Sequence, residues 1–397
     1  MDPTAMRALS VQDLLRPPLL ADPSPFYAAL LQFEPVHWDP VRDAWVISRY
    51  DDVMSALAHP HLSAARLARD APSGVSAEAV LSRQLLYLDP PAHTRMRTLV
   101  NRGLAPSLCA ALRPRIRAVV TELLDAMQAA GRADFVRSFA SPLPIIVVTE
   151  LIGVPPEDRD RIRDWSACLG LLLAGIPLDA PQEDAAHQGI RVAVEYFRDL
   201  LRERTRRPRH DLVSALAVGG AGAMDRDDIA ANLLLLVAAG HGTTTHLLGN
   251  GVSVLLDHPE QWQRLVHHPD LVPLAADELL RYECPVRATG RVALSDLEVG
   301  GHAIASGQRV ITLLAAANRD ATRFTAPDTL DVARGPRHLA FGAGIHRCPG
   351  ATLARLEIQI AFAEVVRRFP TLRRAGESPQ WIPNVTFRGH ASLPVTF

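Results

Sequence analysis

One segment limits the fold before any other. From Asp225 to Leu256 apolar residues recur at helical spacing without a break, Asp225 with Asp228 three residues on resembles an N-cap signal, and Asp257-His258-Pro259 supplies the stop. About 29 residues at 1.5 Å each make a helix roughly 44 Å long, enough to cross a whole domain. Its first half, Ile229–Ala239, is apolar nearly all round apart from Asn232, so neighbours must cover it on every side. Helical spacing at 93–130, 142–152, 156–170, 182–206, 259–268 and 349–369 provides that cover. Strand signals are confined to patches: Val36–Trp38 with Trp45–Ser48, a Gly300-Gly301 hairpin between Leu297–Val299 and His302–Ile304, and the Leu393–Val395 tail. The fold class expected is mainly α with minor β. Length alone allows two or three domains. With no repeat, low-complexity stretch or long polar linker, residues 1–397 read as one domain.

The middle of the long helix, Ala239-Gly240-His241-Gly242-Thr243-Thr244-Thr245, is a run of poor helix formers. Two readings are open. The run is a tolerated bend at a close helix crossing, or a groove against which a ligand or small oxidant lies.

Composition removes other functions. A net charge of −1 lacks the basic excess of a nucleic-acid protein. No run of about 18 apolar residues offers a transmembrane helix. The start, MDPTAMRALSVQDLLRPP, lacks the layout of a signal peptide, so a cytoplasmic location is expected. The four cysteines, Cys109, Cys168, Cys284 and Cys348, have no paired spacing, which excludes a disulfide framework and a CxxC zinc site. All 42 basic residues are Arg, so no Schiff-base or P-loop lysine is available.

Cys348 has an informative neighbourhood, Phe341-Gly342-Ala343-Gly344-Ile345-His346-Arg347-Cys348-Pro349-Gly350. Pro349 reads as the first residue of a helix running to Phe369, which sets the sulfur at a helix N-terminus, where backbone N–H groups stabilise a thiolate. The other three cysteines read as inert thiols. Glu278 and Arg281 share a helix face at i,i+3, as do His93 and Arg97 at i,i+4.

In order and spacing, these elements resemble the cytochrome P450 superfamily, in its soluble bacterial form, along nearly the whole chain. Phe341-xx-Gly344-xxx-Cys348-x-Gly350 resembles the haem-thiolate signature, Glu278-xx-Arg281 with Arg334 the structural triad, and Ala239-Gly240-xx-Thr243 the oxygen-binding groove. Asn318-Arg319-Asp320 and Arg388-Gly389 sit where the family pattern expects them. The resemblance implies the P450 fold, with haem b (iron protoporphyrin IX) between the long central helix and the Cys-ligand helix and Cys348 as thiolate ligand to iron. His93, Arg97, Arg291 and His346 match the propionate partners, with Phe341 and Gly350 flanking the haem. Substrate contacts are expected from the loop region Leu62–Leu86, the Leu171–Pro181 turn, Asn232, Leu235, Leu236 and Ala239, and from Val286, Ala288, Thr386 and Phe387 opposite. Arg287 either anchors a substrate carboxylate or points outward, the latter being preferred.

The implied activity is oxygen insertion into a medium or large apolar natural product. Electrons come from a ferredoxin and ferredoxin reductase, because no G-x-G-x-x-G follows a strand; the enzyme is taken as a monomer. One departure stands out. The family usually has an acid just before the groove threonine, and here that position is Gly242. Hydroxylation or epoxidation through ordered water reaching Thr243, oxidative aryl coupling, and peroxide-driven oxidation are the competing consequences, with a non-catalytic haem sensor the remaining one. His241 is a weaker substitute relay, because adjacent helical residues face different ways.

Overall fold

The computed structural model describes residues 9–67, 77–219, 224–376 and 379–397. The central helix runs Arg226–Asp257, with the Asp225 side chain accepting from the Asp227 N–H. Its N-terminal half packs on Pro142–Ile152, Arg159–Leu173 and Ala180–Arg206, and its C-terminal half on Val272–Tyr282 and Ala351–Arg368. Two apolar cores follow from this split. Ile190, Phe197, Leu233 and Val237 belong to one, and Leu248, Val252, Leu279 and Phe362 to the other. A third lies under a five-stranded sheet ordered Val36–Asp39, Ala44–Ile47, Arg309–Thr312, Thr289–Ala293 and Leu62–Ser63. Only the second and third of these strands pair in parallel.

The helical region expected over 93–130 is three helices, Ala92–Gly103, Pro106–Ala111 and Arg113–Ala130. Pro106 and Pro114 each sit in a first turn, where a missing N–H costs nothing, and each starts a new helix. The helix expected from Pro349 begins instead at Ala351, with Pro349 and Gly350 in a turn. The Gly300-Gly301 hairpin forms as expected, with φ of 56° and 79°. Helices at Ser24–Phe33, Tyr50–Ala58 and Leu212–Gly219 were not anticipated, while Glu278 and Arg281 sit on the helix Val272–Tyr282 as expected. Among the described residues no helix is long and apolar enough to cross a membrane.

Candidate active site

A cavity of about 1100 Å³ separates the central helix from the loop that carries Cys348. That loop is set by its backbone. The Cys348 N–H donates to the Phe341 carbonyl at 2.8 Å, closing the turn. Gly342 and Gly344 have φ of 68° and 65°, and a Cβ on Gly344 would come 2.5 Å from the Leu57 carbonyl oxygen, so no side chain fits there. Cys348, Phe341 and Gly350 line the cavity. Burial pushes the Cys348 thiol up, against the Gly350 N–H and the guanidinium groups of Arg97, Arg347 and Arg355, which pull it down. The helix start thus does not outweigh burial.

Beside the cysteine lies a pocket of positive potential. The His93 and His346 rings are 4.5 Å apart, and the Nε2 atom of each is buried with no partner in the protein. Burial first, then Arg291 and His93, hold His346 down to about 3. Arg291 is buried, donates to the Gly290 carbonyl at 2.8 Å, and is lowered to about 10 by burial and by Arg66. Arg97 donates to the Arg347 carbonyl. The nearby carboxylate, Asp89, already accepts from Ser63 and from the Ala64 N–H at 3.1 Å. Such a set is suited to an anionic group with several acceptor oxygens.

Across the cavity, the Ala239–Thr245 run makes a close helix crossing and leaves open space beside Gly242. The helix continues through it. Gly240 marks a close crossing, since a Cβ there would meet Val148 at 2.9 Å, while an added Cβ on Gly242 has no neighbour within 4 Å. The Thr243 hydroxyl donates to the Ala239 carbonyl at 2.7 Å. Glu278 is fully buried, holds Arg281 through two bonds of 2.7 and 2.8 Å, and accepts from Arg334 Nε at 3.1 Å. None of these three lines the cavity.

Leu235, Leu236, Val286, Ala288, Thr386 and Phe387 all line it. Arg66, Leu67, Leu85 and Leu86 from one expected loop do so too, as does Leu171–Ile176 from the other; residues 68–76 of the first lie outside the described residues. Two expectations need correction. Asn232 reaches the wall, but its amide donates to the carbonyls of Arg83 and Asp228 and accepts from the Leu85 N–H, so it ties a loop to the helix and has little left for substrate. Arg287 neither lines the cavity nor points outward: it is completely buried, near Tyr27 and the Glu283–Arg388 pair. The cause is strand alternation, because the Val286–Phe387 bridge turns 286 and 288 to the cavity and 287 to the opposite, interior face. His241, the disfavoured relay, has its two ring nitrogens 3.2 Å from the hydroxyls of Ser141 and Ser166. Sequence reasoning overlooked His246, Glu357 and His390 in the wall. Only His246 carried a local signal, one turn beyond Thr243.

The family model described as Cytochrome P450 matches residues 182–387. Cytochrome P450 CYP107DY1 of Priestia megaterium is 37% identical over 99% of this chain and 100% of its own length. The chain belongs to the cytochrome P450 family. The polyketide biosynthesis cytochrome P450 PksS of Bacillus subtilis is 36% identical over 92% of each chain. The structure of P450BioI in complex with hexadec-9Z-enoic acid ligated acyl carrier protein superposes with a TM-score of 0.91 at 34% identity, covering 96% of this chain and 100% of that one. A cytochrome P450 is an oxidoreductase that carries haem on a cysteine thiolate. The bare Nε2 atoms of His93 and His346, the positive pocket and the cavity-facing sulfur fit that group.

The buried imidazoles of this P450 predict acid lability. Burial first, and then neighbouring charge where it is present, holds His241 and His246 down to about 4 and His390 to about 3, from an ordinary 6.5. Above pH 6.5 folded and unfolded forms are both neutral at these sites. As pH falls towards 4 the unfolded chain takes up protons that the folded one refuses, and stability drops by up to about 1.4 kcal/mol per pH unit for each imidazole. The urea midpoint is expected to be well lower at pH 5 than at pH 7.5; equal midpoints would contradict the burial of these rings.

Proposed function

We propose that this P450 is a monooxygenase that inserts one oxygen atom from O2 into a medium or large apolar natural product by hydroxylation or epoxidation. The observation that carries the reading is the cavity itself, with Cys348 on one wall, Thr243 on the other and mainly aliphatic or small side chains between. In this reading residues 1–397 act as one haem domain, a cytoplasmic monomer. Cys348 would ligate the iron of haem b; His93, Arg97, Arg291 and His346 would hold the propionates, with Phe341 and Gly350 beside them. Bound haem supplies dioxygen activation, favoured by the electron-donating thiolate. The chain does the rest. Leu235, Leu236, Val286, Ala288 and Phe387 exclude water and orient an apolar substrate, and Thr243 holds a hydroxyl beside the open space at Gly242. A polyketide-sized substrate suits the volume, and PksS is a relative named for such a pathway.

Electrons are taken from a ferredoxin and its reductase. Arg347 is exposed next to the exposed Ile345, and Arg113 and Arg117 are exposed on the helix Arg113–Ala130, which packs on Ala351–Arg368; such cations suit a small acidic partner. Arg115 is committed to Glu150 at 2.9 Å, and Arg355 to Asp277 at 2.7 Å. Oxidative coupling of phenolic or indolic substrates is the second reading, and Gly242 is what favours it.

The deciding experiment is a Soret titration of the ferric protein against macrolides, terpenoids, fatty acids and phenol- or indole-bearing peptides. A high-spin shift with macrolides or terpenoids is expected. A response confined to phenolic or indolic ligands would replace oxygen insertion with coupling.

A further inference from the structure

The cavity holds more positive charge than the proposed haem site accounts for. Arg42, Arg66, Arg97, Arg291 and Arg309 line it, and Glu357 is the only acid among the described residues that does. Burial pushes the Glu357 carboxyl well up, which favours its neutral form. Arg97 and Arg291 are assigned to the propionates. Arg66 stands over the Tyr87 ring and against Gly290, next to Arg291, and Arg309 is exposed. Arg42 is left. It is half-buried in the turn between the strands Val36–Asp39 and Ala44–Ile47, flanked by the exposed Val41 and Asp43, so it sits at the rim of the cavity.

Elsewhere the partly buried guanidinium groups keep a carboxylate: Arg198 has Asp227, Arg204 has Asp211 and Arg388 has Glu283, each at 2.7 Å. Arg42 has none. Its neighbour Asp39 is saturated, Oδ2 accepting from the Ser10 hydroxyl and the Val11 N–H, and Oδ1 from the N–H groups of Val41 and Arg42. Among the described residues the one partner of the Arg42 guanidinium is the Gly175 carbonyl, and its Nε is buried and bare. A cation half out of water with no counter-ion is costly unless a ligand supplies one. Two other segments meet Arg42 here. The Ala174 carbonyl accepts from the N–H groups of Val385 and Thr386 at 3.0 and 3.2 Å. A Cβ on Gly175 would lie 3.3 Å from the Thr386 hydroxyl and 3.8 Å from Arg42 Nη2, so the glycine leaves these two donors facing one space. Asn384 binds the N–H groups of Thr386 and Phe387 through Oδ1, which leaves its amide N–H groups as donors, and it too lines the cavity.

We propose that Arg42, with Thr386 and Asn384 beside it, binds a carboxylate at one end of the substrate, so that the substrate class is an apolar natural-product acid, of terpenoid or polyketide type. The inference rests on the oxygen-insertion reading above for the fate of the bound molecule, and adds its chemical class. A lone guanidinium carries one positive charge and planar N–H groups, which match a carboxylate in charge and shape. A phosphate monoester brings close to two negative charges at pH 7, and the rim offers no second cation beside Arg42 to meet the other. The acid end shares Arg42 with the Gly175 carbonyl, and the Thr386 hydroxyl and the Asn384 amide offer further donors. The apolar body then runs inward along Leu235, Leu236, Val286 and Phe387 towards Thr243. Held by one end, such a molecule is oxidised at a position set by its distance from the carboxylate, whatever the order of reactivity among its C–H bonds.

The test uses the haem-loaded protein and two matched pairs, dehydroabietic acid against its methyl ester and tetradecanoic acid against its methyl ester, titrated by calorimetry at pH 7.5. Each acid is expected to bind at least about tenfold more tightly than its ester, the discrimination of a charge-assisted hydrogen bond. In Arg42→Leu the ratio of acid to ester affinity should fall to about one, and Arg42→Lys should keep part of it. Thr386→Val, which leaves the arginine in place, should lower the ratio about threefold through the lost hydroxyl. If neither acid outbinds its ester in the wild type, the proposal is overturned. An unchanged ratio in Arg42→Leu would overturn it as well, since Arg42 would then be only a brace for Gly175. Turnover with a surrogate ferredoxin and reductase separates the two readings. A wild type that prefers the acids but forms no hydroxylated or epoxidised product would overturn oxygen insertion and leave the carboxylate anchor standing.

Discussion

Cys348→Ser is expected to leave a folded protein that has lost the reduced carbon monoxide band of a thiolate haem, with oxygen insertion reduced to background. The substitution changes one atom. The Cys348 N–H still closes on the Phe341 carbonyl, and Gly342 and Gly344 still shape the turn, so the change in urea midpoint should correspond to about 0.5 kcal/mol or less. What is lost is electronic, because a serine oxygen is harder, less readily ionised and a poorer electron donor to iron than sulfur. A thiolate-type band retained in Cys348→Ser would mean that another cysteine ligates. Cys109 and Cys284 are poor candidates, since both are buried in apolar surroundings away from the cavity and burial pushes Cys284 up to about 12.

Glu278→Gln is expected to unfold the enzyme at growth temperature or leave it haem-free. Glu278 and Arg281 are completely buried, and the carboxylate also holds Arg334 Nε and the Asp331 N–H, each at 3.1 Å. A neutral amide leaves the Arg281 charge without its counter-ion in the interior, at a cost of about 3–5 kcal/mol. That is a large share of the roughly 5–15 kcal/mol holding a typical protein folded. Arg281 also donates to the carbonyls of Asn318 and Pro327, at 3.0 and 2.7 Å, so its displacement loosens the segment leading to the cysteine loop. Urea unfolding of the apoprotein checks this. An unchanged midpoint in Glu278→Gln would show that the triad is dispensable.

Much of the site was readable because its determinants are local. The positive φ of Gly342 and Gly344, the two-bond pairing of Glu278 with Arg281, and the Asp225 cap are decided within a few residues. Proline misled the reading where it was counted as punctuation without position: Pro106 and Pro114 divide one expected helix into three, and Pro349 precedes its helix by two residues.

The chain by itself determined the long buried helix, the glycine-framed cysteine and the Glu278–Arg281 pairing on one helix face, because periodicity, capping and steric freedom act between near neighbours in sequence. Tertiary structure alone decided which groups meet. It turned His241 to Ser141 and Ser166, buried Arg287, closed Asn232 onto a loop, and brought His246, Glu357 and His390 to the cavity lining. Those outcomes depend on segments far apart in the chain returning to the central helix, and on burial that removes water from charged and polar groups. Neither is set by the residues next door.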